Sequence, residues 1–303
     1  MSHSKHLIVI AGPTAVGKTA LSLGIAEHFK TEIISADSRQ IYKEMEIGTA
    51  KPNAAELARV PHHLINSHSI EENYDAGSFA RDAEAILSKL FESKDVVILV
   101  GGSGLYIKAL CDGLDEMPET NPSIREELNR LWDEGQKQNL LEELESKDPT
   151  YFELVDHSNR QRVIRALEIF RSTGKPYSEY RGQAPAKLDK LYAIHKIGLE
   201  LDREVLYERI NTRMDAMINN GLFKEAERLY PLKHLNALQT VGYSEIFQFM
   251  DGHYDKEEAI RLLKRNSRRY AKRQMTWFKK DIEFKWFSPN SPNTILDFLN
   301  SKI

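Results

Sequence analysis

The chain has 303 residues and a near-neutral formal charge of −3, from 42 Lys and Arg against 45 Asp and Glu. A hydrophobic fraction of 41% supports a buried core, yet no run approaches the ~18 consecutive apolar residues of a membrane span, so no membrane association is expected. Cys111 is the only cysteine, which excludes a disulfide framework and a cysteine-based zinc site. With no signal-peptide pattern ahead of the first strand, a reducing, cytoplasmic location is expected.

Leu7-Ile8-Val9-Ile10 reads as a buried parallel strand. It runs into Gly12-Pro13-Thr14-Ala15-Val16-Gly17-Lys18-Thr19, a complete Gly-x-x-x-x-Gly-Lys-Thr phosphate-binding loop, and a helical pattern extends from Lys18 to Lys30. A turn of this kind aims several backbone N–H groups, and the positive end of a helix, at one anion. Lys18 adds a charge, and the Thr19 hydroxyl can ligate Mg²⁺.

A second strand, Glu32 to Ala36, leads directly to Asp37, Ser38, Arg39 and Gln40. A helix over Ser78–Glu92 and a strand over Asp95–Val100 follow, the latter ending in Gly101-Gly102-Ser103-Gly104. From about Asp115 to Lys190 the chain is charged and helical in pattern, without a clear strand. Tyr192 to Leu201 then resumes the sheet, and a helix capped by Asp202 runs to the stop at Asn220-Gly221. Leu206, Ile210, Met214, Met217 and Ile218 form its apolar stripe, which reads as core. Strand–helix alternation predicts an α/β fold, a doubly wound parallel sheet around the phosphate loop, with a helical insertion. The expected segments are 1–114 and 191–303 for the core and 115–190 for the insertion.

The neutral total conceals an asymmetry. Arg261 to Lys285 holds ten Lys or Arg against two acids, the footprint of a polyanion partner. An ATPase or GTPase needs a strand-ending acid to hold Mg²⁺ opposite its loop, and the strand Asp95–Val100 ends in glycine and serine instead. The strand that does end in a carboxylate presents Asp37. It reads either as a base acting on an acceptor held opposite the phosphates or as a helix N-cap. If the acceptor is the nucleophile, the loop can hold a diphosphate that departs whole, stabilised by N–H donors, Lys18 and Mg²⁺.

GPTAVGKTALS, ISADSRQIYKEMEIGTAKP, VPHHLI, ILVGGSGLYIKAL, RQRVIRALEIF, VGYSEI and RRYAKRQMTWF occur in the order found in tRNA dimethylallyltransferases. The chain resembles that family from about Leu7 to Phe287. The resemblance implies transfer of a dimethylallyl group from dimethylallyl diphosphate to the exocyclic amine of an adenosine beside the tRNA anticodon. By the same resemblance, Asp37 is the base, and Gly12 to Thr19 hold the diphosphate, with Mg²⁺ at Thr19. Arg165 is implied as a further diphosphate or tRNA ligand. Ser38, Arg39 and Gln40 would line the adenine pocket, and Ser103, Arg125 and Gln161 would touch tRNA. Arg268, Arg269 and Lys272 in the basic segment are expected to meet phosphates of the anticodon stem-loop, and a monomer is expected. The family's usual Thr is Ser103 here, Asn66 stands where an Asp is usual, and Asn159-Arg160 replaces the usual Asn-Asp.

Two residue groups invite stronger readings than they support. His62-His63 suggests a metal pair, but adjacent strand residues point oppositely and a third ligand is missing. Trp277, Phe278, Trp286 and Phe287 could stack on bases, although aromatics beside apolar periodicity are more often core. The competing functions are a P-loop nucleotide or small-molecule kinase, a prenyltransferase acting on free adenosine nucleotides, and a catalytically silent RNA-binding protein.

Overall fold

Leu7 to Ala11 are fully buried, as a strand covered on both faces demands. The computed structural model describes residues 4–182 and 190–303. They divide into two units, Met1–Asp112 with Asp189–Ile303, and Gly113–Leu188. In the first unit β1 (His6–Ala11), α1 (Lys18–Phe29), β2 (Ile33–Ser35), α2 (Ala54–Arg59), β3 (His62–His63), α3 (Ala76–Leu90), β4 (Val96–Gly101) and α4 (Gly104–Cys111) follow one another. The second unit contains α5 (Pro122–Asp133), α6 (Lys137–Lys147), α7 (Pro149–Leu154) and α8 (Arg160–Thr173). The first unit resumes with β5 (Ala193–Leu199), α9 (Arg203–Asn219), α10 (Leu222–Leu229), α11 (Ser244–Met250), α12 (Lys256–Phe278), β6 (Lys285–Phe287) and α13 (Pro292–Asn300).

The strands lie in the order β3-β2-β4-β1-β5-β6 and every pairing is parallel. All carboxyl ends therefore open on one edge of the sheet, the edge where such folds bind ligands. Register brings Ala11 level with both Gly101 and Gly198, so the segments following β1, β4 and β5 leave the sheet side by side. This is the parallel α/β core that strand–helix alternation predicts. β3 and β6 add two short strands at its margins, too brief to show a period in sequence.

Local chemistry sets the helix ends. The Asp75 side chain accepts from Ser78 N at 2.8 Å to start α3, and Asp202 accepts from Glu204 N at 2.9 Å to start α9. In the second unit Leu128, Leu140, Leu144, Tyr151, Val163 and Leu167 make a separate apolar cluster. Cutting one of these leucines to Ala removes ~2–5 kcal/mol of packing by the usual cavity cost.

The C-terminal aromatics are mostly core. Phe278 and Phe284 are buried, Trp286 packs across Gly198, and Phe287 meets Phe298. Trp277 differs, with 40% of its surface exposed. Cys111 is buried, and burial pushes its thiol up to about 12, so it stays an inert thiol.

Candidate active site

The phosphate loop leaves β1 and turns into α1 through Gly17, whose φ of 110° only glycine adopts without strain. Ala15 holds the same left-handed region at φ 65°, a strained backbone of the sort kept at binding sites. Lys18 Nζ donates to the carbonyls of Gly12 and Pro13 at 2.9 and 2.8 Å. Burial pushes the Lys18 ammonium down to about 7, the Arg213 guanidinium lowers it further, and Asp37 opposes both. Arg213 comes from α9 and donates to Thr14 Oγ1 at 2.7 Å. Two cations thus converge on a loop of N–H donors, an arrangement made for a polyanion.

Around this loop lies a cavity of about 380 Å³. Asp37, Arg39 and Gln40 line it from the end of β2, and Gly48, Thr49 and Ala50 from the following loop. Ile210, Met214 and Met217 of α9 supply an apolar wall, and Ser267, Tyr270 and Gln274 of α12 a polar one. Leu206, Ile210, Met214 and Met217 of the α9 stripe are buried, as periodicity predicts, whereas Ile218 is only partly covered; Ile210, Met214 and Met217 also face the cavity.

Asp37 combines both of its sequence readings. Its Oδ1 accepts from Arg39 N at 3.0 Å and Gln40 N at 3.3 Å, a turn-capping pattern. Its Oδ2 accepts no hydrogen bond among the described residues. The cap therefore orients the carboxylate while leaving one oxygen for another partner. Gln40 is itself fixed, its amide donating to the Thr49 and Ala50 carbonyls at 3.2 Å each.

Ser103, the N-cap of α4, accepts from Ser38 N at 2.9 Å, so its hydroxyl ties the end of β4 to the Asp37 turn. Gly102 permits a close approach here. A Cβ at that position would lie 2.4 Å from Gln274 Nε2, which instead donates to Gly102 O at 2.9 Å. The same amide accepts from Thr14 N at 2.9 Å. Gln274 thereby joins α12 to the phosphate loop and to β4.

Several of these residues carry no signal in the sequence. Arg213, Tyr270 and Gln274 sit in helices whose charged and polar residues read as solvated. Burial pushes Tyr270 up to about 12, with Asp37 adding to it, so its phenol stays protonated and can donate into the cavity. Glu225 of α10 is 1% exposed. Its carboxylate accepts from the backbone N–H groups of Glu46, Ile47 and Gly48 at 3.2, 2.8 and 2.9 Å, and from Tyr243 Oη at 2.6 Å. This clamp holds the loop that forms one wall of the cavity.

Thr19 fits the Mg²⁺ expectation in its chemistry. Its hydroxyl makes no hydrogen bond among the described residues and shares its cavity with Asp37. Mg²⁺ typically takes a few protein oxygens, substrate phosphates and water, and this donor set suits that pattern.

In the second unit, Arg125 and Arg165 converge on Glu168, with Nε and Nη1 contacts to Oε2 of 3.2 and 2.9 Å. Glu168 is 3% exposed, and Thr120 Oγ1 caps its other oxygen at 2.9 Å. Gln161 is exposed on the first turn of α8. Asn159 caps α8 by accepting from Arg162 N, while Arg160, the one departure from the usual pair, binds Asp133 and so has local structural work. Asn66 sits at φ 53° and accepts from Lys51 Nζ at 2.6 Å; Asn tolerates that left-handed backbone well.

The basic segment is less uniform than its composition. Only α12 up to Phe278 is helical, and Lys279, Lys280 and Lys285 lie beyond it. Arg261 pairs with Glu258, Lys264 with Asp215 and Lys279 with Glu200. Arg268 donates to Asn211 Oδ1 at 2.6 Å. Arg269 and Lys272 are exposed and make no ion pair among the described residues. His62 and His63 are each engaged nearby, His62 Nδ1 with Val60 O and His63 Nε2 with Glu32 Oε2, both at 2.8 Å.

Residues 40–281 match the family model described as IPP transferase. The chain belongs to the IPP transferase family. It is 50% identical over 300 residues to the tRNA dimethylallyltransferase of Cytophaga hutchinsonii, covering 99% of this chain and 98% of that one. It is 52% identical over 302 residues to that of Christiangramia forsetii, covering 99% of each. Among solved structures it resembles the full-length tRNA isopentenylpyrophosphate transferase of Bacillus halodurans, with a TM-score of 0.72 and 37% identity over 98% of this chain and 96% of that one. A eukaryotic dimethylallyltransferase acting on tRNA matches with a TM-score of 0.70 and 27% identity, covering 93% of this chain and 74% of that one. Family membership agrees with the resemblance carried by the sequence segments. No helix among the described residues is long and apolar enough to cross a membrane.

Proposed function

We propose that the chain transfers a dimethylallyl group from dimethylallyl diphosphate to the exocyclic amine of an adenosine beside the tRNA anticodon. The observation that carries this reading is a single cavity with three distinct chemistries. Lys18, Arg213 and the loop N–H groups want an anion, Ile210, Met214 and Met217 suit a hydrocarbon, and Asp37 has an oxygen to spare.

In this reaction the amine nitrogen bonds to C1 of the dimethylallyl group while the C1–O bond breaks. The electron pair leaves with the diphosphate, and the amine proton passes to Asp37 Oδ2. The catalytic task is stabilisation of charge developing on the leaving group, for which preorganised N–H donors and Lys18 serve. Bound at Thr19, Mg²⁺ would supply further neutralisation of that charge. Arg39 and Tyr270 line the acceptor side, where an adenine must be extruded from its stack to reach a buried site. The exposed Arg269 and Lys272 suit tRNA phosphates. Arg125, Gln161 and Arg165 belong to the second unit, and tRNA is the ligand that the reading gives them.

Incubation with bulk tRNA and either labelled dimethylallyl diphosphate or γ-labelled ATP tests the proposal. Label from the prenyl donor should enter tRNA, and label from ATP should not. Transfer of the ATP label to any acceptor would favour a kinase.

A further inference from the structure

Two stretches of chain form one wall of the cavity, Gly48 to Ala50 and Thr240 to Gly242. A Cβ at Gly242 would lie 3.6 Å from Gly48 O, so the two run side by side. Each is pinned by a buried carboxylate. Glu225 takes the N–H groups of Glu46, Ile47 and Gly48. Glu245 accepts from Gly242 N at 2.9 Å and from Asn266 Nδ2 of α12 at 2.7 Å. The Tyr243 ring fills the place that a Cβ at Gly48 would take, 2.4 Å from Cζ. Burial and the Glu225 carboxylate push the Tyr243 phenol up, so it stays protonated and donates to Glu225.

The consequence reaches Asp37. With the N–H groups of 46–48 committed to Glu225, the Thr49 and Ala50 carbonyls that follow are aimed at Gln40 Nε2. Ala50 sits at φ 49°, a strained backbone that persists only where its surroundings hold it. Gln40 Oε1 accepts from Ser35 Oγ at 3.3 Å, so the amide is braced at both ends. Gln40 N in turn donates to Asp37 Oδ1. An unbroken run of contacts therefore leads from α10 through the 46–50 loop and Gln40 to the base.

We propose that Glu225 is a positioning residue for the transfer step, holding Asp37 Oδ2 toward the acceptor amine through the 46–50 loop and Gln40. The inference rests on the prenyl-transfer reading above. Glu225 itself does not line the cavity and meets neither substrate; it acts only by fixing the peptide groups behind the wall. A reacting group misplaced by about 1 Å can lose about 100-fold in rate, so a remote brace of this kind matters to the chemistry.

Glu225→Gln keeps the shape of the side chain and removes one acceptor oxygen. In the full chain, folded by circular dichroism, single-turnover transfer to an anticodon stem-loop should fall about 10- to 100-fold, the scale of such a misplacement. Affinity for dimethylallyl diphosphate by calorimetry should stay within threefold of native, since neither Glu225 nor Tyr243 bonds to the phosphate loop among the described residues. Gly48→Ala perturbs the same joint from its other side, the methyl meeting the Tyr243 ring, and should give the same split between rate and donor affinity. In an Asp37→Asn background, Glu225→Gln should lower the rate by less than a further threefold, because the group it positions is gone. A rate within threefold of native in both single variants, donor affinity falling in step with rate, or full additivity with Asp37→Asn overturns the proposal. If native protein does not prenylate the stem-loop, the functional reading fails instead, and the two failures are distinct.

Discussion

Proton uptake on donor binding is the sharpest consequence of the part-buried Lys18. Burial and Arg213 hold its ammonium near 7, against 10.5 for an ordinary lysine. Between about pH 7 and 10 the unfolded chain binds the proton that the folded site gives up, so stability of the empty protein should rise with pH across that window. A bound diphosphate reverses the balance, because its negative charge favours the protonated form. At pH 8 a group of pKa about 7 is ~90% neutral, so binding should take up about 0.9 proton per site. The diphosphate adds no release at this pH, since the last phosphate proton is lost near ~6. Titration calorimetry with dimethylallyl diphosphate in buffers of different ionisation enthalpy reads the uptake directly. It should vanish in Lys18→Arg, whose guanidinium never gives up its proton. No uptake by the native protein at pH 8, or equal uptake by Lys18→Arg, would refute the reasoning.

Asp37→Asn should leave tRNA affinity nearly intact and lower single-turnover transfer by ~10²–10⁴, the usual span for a positioned base; a rate within threefold of native would remove Asp37 from the mechanism. Tyr243→Phe removes one hydrogen bond from Glu225 and should cost about 1–2 kcal/mol in urea unfolding. Glu225→Gln turns an amide toward three N–H donors and should cost more; equal midpoints for the two variants would show that the clamp is not anchored on the carboxylate. In the salt dependence of stem-loop binding, Arg269→Ala and Lys272→Ala should each flatten the slope by about one unit. Arg268→Ala should do less, because Asn211 already holds that guanidinium; a larger effect there would contradict the bond.

The core was legible because its signals are local. Four buried residues before a glycine loop make a strand wherever they occur, and Asp202 before an amphipathic run makes a helix start. The loop that lines the candidate site was legible for the same reason, since Gly12 to Thr19 is contiguous. What remained hidden depends on distant pairings. Glu225, Glu168 and Lys196 look like solvated charges on paper, yet each is buried among partners contributed by other segments. Arg213 shares its helix with exposed charges, and only the packing of α9 against the loop distinguishes it. The basic segment reads as ten equivalent cations, whereas folding commits several to Glu258, Asp215, Asn211 and Glu200 and leaves Arg269 and Lys272 to solvent. Composition measures charge, and pairing determines how much of it a partner meets.

Gln274 fastens the phosphate loop across a separation of 260 residues. At ~5–20 residues per second, ribosomal synthesis takes roughly 13–50 s to cover that distance. Throughout this interval the nascent chain exposes a glycine-rich turn and a lysine without the helix that encloses them. β4 and β5, which flank β1 in the finished sheet, are also made after it. The emerging protein therefore displays a phosphate-binding motif long before it has a compartment to put a phosphate in. A ribosome stalled before α12 would release a product that carries the motif and lacks the Gln274 tie and the polar wall.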